Sequence, residues 1–228
     1  MLISVIIPAF NDGKYIPAVL DSLWQQECEL EVIMVAGSTA GNPALASIGS
    51  KVRVVSTPAV SRGEMLAGGA AEARGEVLLF LWPGSCLPAT ALVAIERNFE
   101  LLPQSVGGNF HLNFESRTWF TRLALFLLKR MRYRGRYYGH SGIFIRADVY
   151  KELDGFRPYD ILEDYDLVRR MEAYGPTLFL PDTITASTYT FQHRKLRAVL
   201  VWPIIHTLFA LGVHPNKLAG LWNPGSPR

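Results

Sequence analysis

The chain has 228 residues, 49% of them hydrophobic and 19% charged, enough apolar content to bury a substantial core and too much for a disordered segment. Its formal net charge of +3 gives little support to a nucleic-acid partner, although the positive charge is unevenly spread. Cys28 and Cys86 are the only cysteines and neither sits in a CxxC or His-rich context, which argues against a disulfide framework or zinc site and fits a reducing cytosol.

The chain opens on Leu2–Pro8 with no basic segment ahead of it, so this run reads as a strand, Ser4–Ile7, stopped by Pro8, and not as an export signal. A loop over Ala9–Gly13 leads into Tyr15–Gln26, where Ile16, Val19, Leu20, Leu23 and Trp24 make the stripe of a helix packed on a sheet. Glu31–Val35 supplies a second strand ending in the small-residue loop Ala36–Asn42, and Val52–Val55 a third. Ser61 and Glu64 have the spacing of a capping box, which starts a helix through the Ala-rich stretch to Arg74. Glu76–Leu81 is nearly continuous apolar sequence, as in a strand buried on both faces, and ends in a turn at Trp82–Ser85. Pro88 suits a first helical position, with Leu92, Ile95, Phe99 and Leu102 on the helix behind it.

This alternation predicts an open α/β sheet with right-handed crossovers. Ligands of such sheets bind beyond the carboxyl ends of the strands, which gathers the loops at Ala9–Gly13, Ala36–Asn42 and Trp82–Ser85 around one crevice.

The pattern then changes. After a strand over Gly107–Phe114, the apolar Trp119–Leu128 runs into Lys129, Arg130, Arg132, Arg134 and Arg136. Such a basic run is either a solvated helix end or a patch facing phosphate or an anionic membrane surface. Tyr137–Gly142 leads into a strand at Ile143–Ile145 and a short helix at Ala147–Leu153. The segment Asp160–Arg170 gathers Asp160, Glu163, Asp164 and Asp166 around a helix start, with Leu167, Val168 and Met171 on the inward face. Asp166 is expected to be exposed. Two further strands, Thr177–Leu180 and Ile184–Phe191, are expected to cover the site. The apolar segment Leu196–Leu211 contains Arg197, Pro203 and His206, which makes it a docked or interfacial helix and a poor membrane span.

In order and spacing these pieces resemble family 2 glycosyltransferases of the GT-A fold, particularly small bacterial members. The matching motifs are Ser4–Asp12, Glu31–Thr39, Arg62 with Ala70–Gly75, Glu76–Pro88, Gly139–Arg146, Gly155–Phe156 and Glu163–Asp164. The resemblance implies a GT-A (Rossmann-like), mixed but mainly parallel sheet flanked by helices, with an acceptor-side elaboration and an apolar C-terminal helix. One domain is expected, with a nucleotide-sugar half over 1–104, an acceptor half over 105–192 and a helical extension over 193–228. It implies an inverting transferase that moves a sugar from a nucleotide-diphospho-sugar to an acceptor hydroxyl. The resemblance further implies a lipid-linked or small hydroxylated acceptor, met at the cytoplasmic face of a membrane with peripheral contact.

Carried over residue by residue, Asp164 falls on the base position with Glu163 beside it. The donor is expected at Pro8, Ala9, Phe10, Asn11, Asp12, Ala36, Gly37, Ser38, Arg62, Gly84 and Ser85. His140, Ser141, Gly142, Arg194 and Lys195 fall on the acceptor or phosphate side. The departures concern the donor: Ala36 and Ala40 stand where acidic residues read the nucleotide, Ala67 where Asn is common, and Trp82–Ser85 where an Asp-x-Asp motif holds Mg²⁺ or Mn²⁺. No metal site is therefore expected, and fixed cations such as Arg62, His140, Arg194 or Lys195 must meet the leaving diphosphate. The same departures leave a second reading, a catalytically degenerate glycosyltransferase-like protein that serves as a binding or scaffold subunit. A nucleic-acid-binding role for the basic run is the weakest reading.

Overall fold

The computed structural model describes residues 1–9, 13–37, 51–58, 61–188 and 195–222. The strands are β1 (Ile3–Ala9), β2 (Leu30–Ala36), β3 (Val52–Ser56), β4 (Val77–Phe80), β5 (Ser85–Cys86), β6 (Gly107–Phe114), β7 (Ile143–Arg146) and β8 (Thr177–Ala186). They form one sheet in the order β3-β2-β1-β4-β7-β6-β8-β5. Neighbours run parallel from β3 to β4, β7 is antiparallel to both β4 and β6, and β8 pairs parallel with β6. The described helices are α1 (Ile16–Trp24), α2 (Arg62–Ala71), α3 (Ala91–Leu101), α4 (Trp119–Arg132), α5 (Ala147–Glu152), α6 (Glu163–Tyr174), α7 (Lys195–Ala210) and α8 (Pro215–Trp222).

The sheet is buried on both faces because its strands present apolar side chains alternately to each. Ile3, Val5 and Ile7 of β1 join Val19 and Leu23 of α1 and Leu92, Ile95 and Phe99 of α3 in one cluster. Ile6, Ile33 and Val35 join Met65 and Leu66 of α2 and Leu167, Val168 and Met171 of α6 in the other. The inward face read for the acidic helix is thus the face that is buried. A third cluster of Tyr138, Ile161, Leu162, Tyr165, Ile205 and Leu218 seats α7 and α8 over the first turn of α6.

Sequence and structure differ at three boundaries. Pro8 lies inside β1, paired with Val35 of β2. The β4 ladder ends at Ile6↔Phe80, two residues earlier, so no partner on that side requires the N–H that proline lacks. Pro88 precedes α3 by three residues and instead accepts a turn bond from the Ala91 amide at 3.0 Å. The two strands expected after residue 176 are one, β8, which carries Pro181 past a register shift opposite Phe110 and His111. It belongs to the sheet and does not cover the site as a separate lid; residues 189–191 of the expected run lie outside the described residues.

The capping box forms as the spacing requires: Ser61 Oγ accepts from the Glu64 amide, and Glu64 Oε2 accepts from the Ser61 amide at 2.9 Å. Behind it Gly69 lets α2 lie directly on the sheet, since a Cβ there would sit 2.6 Å from methyls of both Ile6 and Val35. Gly69→Val is expected to destabilise the protein by about 1–3 kcal/mol through overpacking. Gly68→Ala, whose new Cβ would meet only Thr57 at 3.7 Å, should gain up to about 1 kcal/mol from helix propensity. Urea denaturation of the two variants checks both signs.

Candidate active site

The site is assembled where the first turns of α2 and α6 meet. Gly63 makes that approach possible: a Cβ there would fall 2.1 Å from the Arg157 carbonyl oxygen, and the Gly63 amide donates to the Tyr159 carbonyl at 3.3 Å. Leu162, buried at the cap of α6, adopts a left-handed conformation with φ of 62°, a strained turn for a branched side chain. It delivers Glu163, Asp164 and Asp166 into the interior, all three buried.

Their partners differ, and the partners decide what each can do. Glu163 is fully buried and Oε1 is ion-paired with Arg62 Nε. Its Oε2 has no hydrogen-bond partner among the described residues. Burial pushes the Glu163 carboxyl up to about 7, against the pull of Arg62. Asp164 Oδ2 accepts from the Gly139 amide and Oδ1 from the Tyr165 amide, each at 2.8 Å, so two backbone donors fix the carboxylate in place. Asp166 corrects the expectation of exposure. It lies between Arg157 at 3.1 Å and Arg170 at 2.8 Å, and Arg170 in turn donates to the Leu153 and Gly155 carbonyls. This is a structural clamp on the turn before α6, away from the cavity.

Arg62 spans the two halves of the site. Besides Glu163, its guanidinium stacks 5.1 Å from the Trp82 ring centre, a cation–π contact. Trp82 is also packed under the Gly139–Ser141 turn, where a Cβ on Gly139 would come within 2.7 Å of the ring. The His140 ring centre lies 6.4 Å from that of Trp82. Burial lowers the His140 pKa to about 4, with Asp164 opposing and Arg62 reinforcing the shift, so the imidazole is neutral near pH 7. The tryptophan standing where a carboxylate motif was expected is therefore the floor that joins Arg62, His140 and Gly139.

Other expected site residues fall less directly on the chemistry. Pro8 and Ala9 are buried at the carboxyl end of β1, and Ala36 ends β2 beside Gly37. Gly84 takes a φ of +84° and its carbonyl accepts from the Ser187 amide at 2.8 Å, while Ser85 is buried in the pairing of β5 with β8. Ser141 is committed to structure: its Oγ donates to the Tyr138 carbonyl at 2.8 Å and accepts from Asn109 at 2.9 Å. Gly142, with φ of 63°, turns the chain into β7. Phe10, Asn11, Asp12, Ser38, Ala40 and Arg194 lie outside the described residues, and Lys195 is described only as the backbone start of α7.

The polar groups open onto a cavity of about 750 Å³. Arg62, Trp82, His140 and Asp164 line it together with Asn109–Phe114 of β6 and residues of α4, β8, α7 and α8. Sequence reasoning missed Tyr138, Trp202 and His206 here. Tyr138 and His206 share a 2.8 Å hydrogen bond, and the His206 ring meets Tyr165 edge-on at 4.6 Å. Burial lowers the His206 pKa to about 4, partly offset by Asp164. The available signal was the i, i+4 spacing of Trp202 and His206 in an apolar helix.

Trp82, Pro83, Gly84 and Ser85 offer no carboxylate, and no cluster of three His, Cys, Asp or Glu able to hold a metal occurs among the described residues. With Glu163 engaged by Arg62, the donor set at this loop does not fit a divalent cation.

Residues 4–81 match the glycosyl transferase family 2 model. No curated protein sequence matches the chain. Among solved structures, the chain is similar to residues 1–349 of Staphylococcus aureus TarS in complex with UDP-GlcNAc, with a TM-score of 0.66 and 18% identity over 82% of this chain and 58% of that one. It is also similar to the mannosyltransferase PcManGT from Pyrobaculum calidifontis in complex with GDP-Man and Mn²⁺, with a TM-score of 0.66 and 16% identity over 92% of this chain and 64% of that one. The chain thus spans less than two thirds of either structure. Its eight-stranded mixed sheet with flanking helices is the GT-A-type fold of these transferases.

The titrations in the site carry opposite signs. The folded Glu163 holds its proton up to about pH 7, against an ordinary value of 4.5; its contribution to stability is complete below 4.5 and is lost as pH rises through 7. His140 and His206, lowered from 6.5 to about 4, contribute above 6.5 and lose their contribution as pH falls through 4. Relative to Glu163→Gln, the wild-type melting temperature should therefore rise on acidification from pH 8 to 5. A pH-independent difference between the two melting curves would remove the titration from Glu163.

Proposed function

From the match of residues 4–81 to the glycosyl transferase family 2 model and from the GT-A-type fold, we propose that this chain is a family 2 glycosyltransferase that transfers a sugar from a nucleotide-diphospho-sugar to an acceptor hydroxyl, with inversion and without a divalent metal. The observation that carries the reading is Asp164: a carboxylate held by two backbone amides and lining a cavity large enough for substrate.

In the transfer the acceptor oxygen attacks the anomeric carbon and its proton passes to Asp164. The bond from that carbon to the diphosphate oxygen breaks, and its electron pair leaves with the diphosphate. Asp164 is the general base. His140, neutral in its buried setting, accepts or donates a hydrogen bond to the acceptor hydroxyl. Arg62 faces the charge that develops on the leaving diphosphate, in place of a metal. Glu163 is a positioning residue that holds Arg62 over Trp82. The donor crevice lies beyond the carboxyl ends of β1, β2 and β4, where sheets of this kind bind nucleotides. The fixed base supports a working transferase over a scaffold subunit, since packing alone gives no reason to aim a carboxylate into a cavity.

Asp164→Asn should lower turnover by about 10²–10⁴-fold, the range expected for loss of a general base, with UDP or GDP affinity unchanged by calorimetry and a folded protein whose stability falls by about 1–3 kcal/mol, because the amide leaves one of the two backbone donors unpaired. An unaffected Asp164→Asn enzyme sinks the base assignment. Arg62→Gln should weaken UDP binding at least tenfold while leaving uridine binding, tested in the same way, unchanged. Transfer by the purified wild-type protein should persist in EDTA, and loss of transfer restored by added Mn²⁺ would overturn the metal-free reading.

A further inference from the structure

Arg132 takes a full charge into the interior from a helix that buries little else. Of the residues of α4 only Phe120, Thr121 and Arg132 are buried. The guanidinium lies between the rings of Tyr137 and Phe179, 4.4 and 5.1 Å from their centres. It donates to the Leu178 carbonyl at 2.9 Å, to Thr177 Oγ1 at 3.2 Å and, through Nε, to Asn109 Oδ1, with Glu172 as its ion-pair partner at 3.4 Å. An apolar residue of similar size would hold α4 to the sheet at least as well. What only the arginine can do is orient Asn109.

The donors and acceptors that follow leave one arrangement. Arg132 Nε can only donate, so the Asn109 side-chain oxygen faces it and the amide nitrogen faces Ser141 Oγ, 2.9 Å away. That nitrogen can likewise only donate, and it also serves the Phe110 carbonyl at 3.1 Å. The Ser141 hydroxyl therefore accepts from Asn109, and its single proton goes to the Tyr138 carbonyl at 2.8 Å. Tyr138 opens the turn whose next residue, Gly139, holds Asp164 through its amide. Asn109 itself is buried in the middle of the sheet, in register with Ile143 of β7 and Phe179 of β8, so the reference point is rigid.

We propose that Asn109 is a positioning residue for Asp164: held by Arg132, it directs the Ser141 hydroxyl onto the Tyr138 carbonyl and so sets the angle at which the Gly139 amide meets the carboxylate. The inference rests on the transferase reading for what Asp164 does, and on the hydrogen bonds alone for how it is held. A buried polar network with every member satisfied fixes one geometry. Displacement of a reacting group by about 1 Å costs on the order of 10²-fold in rate, which is the scale on which such a network matters.

Asn109→Asp in the full chain tests this, because it keeps the shape and the Arg132 pair while replacing the donor that faces Ser141 by an acceptor. The Ser141 proton then turns to residue 109, and the Tyr138 carbonyl loses it. Hydrogen–deuterium exchange of the Gly139 amide, followed by NMR, should speed up by about tenfold while the amides of β1 exchange as in wild type. Release of UDP or GDP from a panel of UDP- and GDP-sugars, with water as the acceptor, should fall by about 10–100-fold in kcat with the donor KM unchanged. Ser141→Ala, which removes the hydroxyl outright, should reproduce both effects and serves should the aspartate variant fail to fold. Wild-type exchange at Gly139 or an unchanged kcat overturns the proposal. Faster exchange in β1 as well, with kcat and KM both altered, makes the network a matter of general stability and overturns it too. A wild-type protein that turns over none of these sugars, while Gly139 still responds to Asn109→Asp, overturns the transferase reading and leaves Asn109 as the residue that sets the carboxylate.

Discussion

The ion pair between Arg62 and Glu163 joins residues 101 positions apart and ties the parallel β1–β4 part of the sheet to the helix that carries the candidate base. A carboxyl at zero exposure has two answers to its burial, the proton it keeps up to about pH 7 and the guanidinium that pairs with it once it ionises. The dependence runs outward from there. Arg62 lies on Trp82, Trp82 supports the Gly139–Ser141 turn, and the Gly139 amide holds Asp164. Each contact is ordinary in kind, but together they form a closed circuit beside the cavity, so the Trp82–Ser85 loop and the Asp164 carboxylate are set by one arrangement. Asp166 completes it from behind by fixing Arg157 and Arg170 against the turn that brings α6 to α2.

The circuit also changes the meaning of the altered donor loop. A chain that lacks carboxylates at this loop looks impaired when judged by charge alone. Here Trp82 builds an apolar floor that keeps a guanidinium in place, and a planar cation on an aromatic face is preorganised to meet an anion with little further ordering. The two neutral histidines add polar contacts without adding positive charge beside Asp164.

The alternating strands and helices of the first half were legible because burial on two faces imposes long apolar runs and because Ser61 and Glu64 cap α2 by local spacing alone. Glu163 and Asp164 were legible as a pair from motif order. Their partners were not, because Arg62 and Gly139 lie far off in the chain and no local pattern connects them to the pair. Asp166 was misread as exposed for the same reason: an acidic residue near a helix start reads as solvated until the two arginines that bury it are known. Tyr138 and His206 are separated by 68 positions, and their meeting is a property of how α7 folds back over α6. Pro8 was read as a strand end because the rule against proline in strands is a rule about hydrogen-bonding partners, which the sequence does not display.

Gly139 has no side-chain chemistry, yet two demands fall on it at once: its amide serves Asp164 and its α-carbon lies against Trp82. That couples positions 82 and 139: with the indole in place a β-carbon at 139 would strike the ring, and a short acidic residue at 82 would relieve that clash only by leaving a void beneath the turn and taking the floor from under Arg62. The loop and the turn are therefore a matched pair, and neither changes without altering what the other holds.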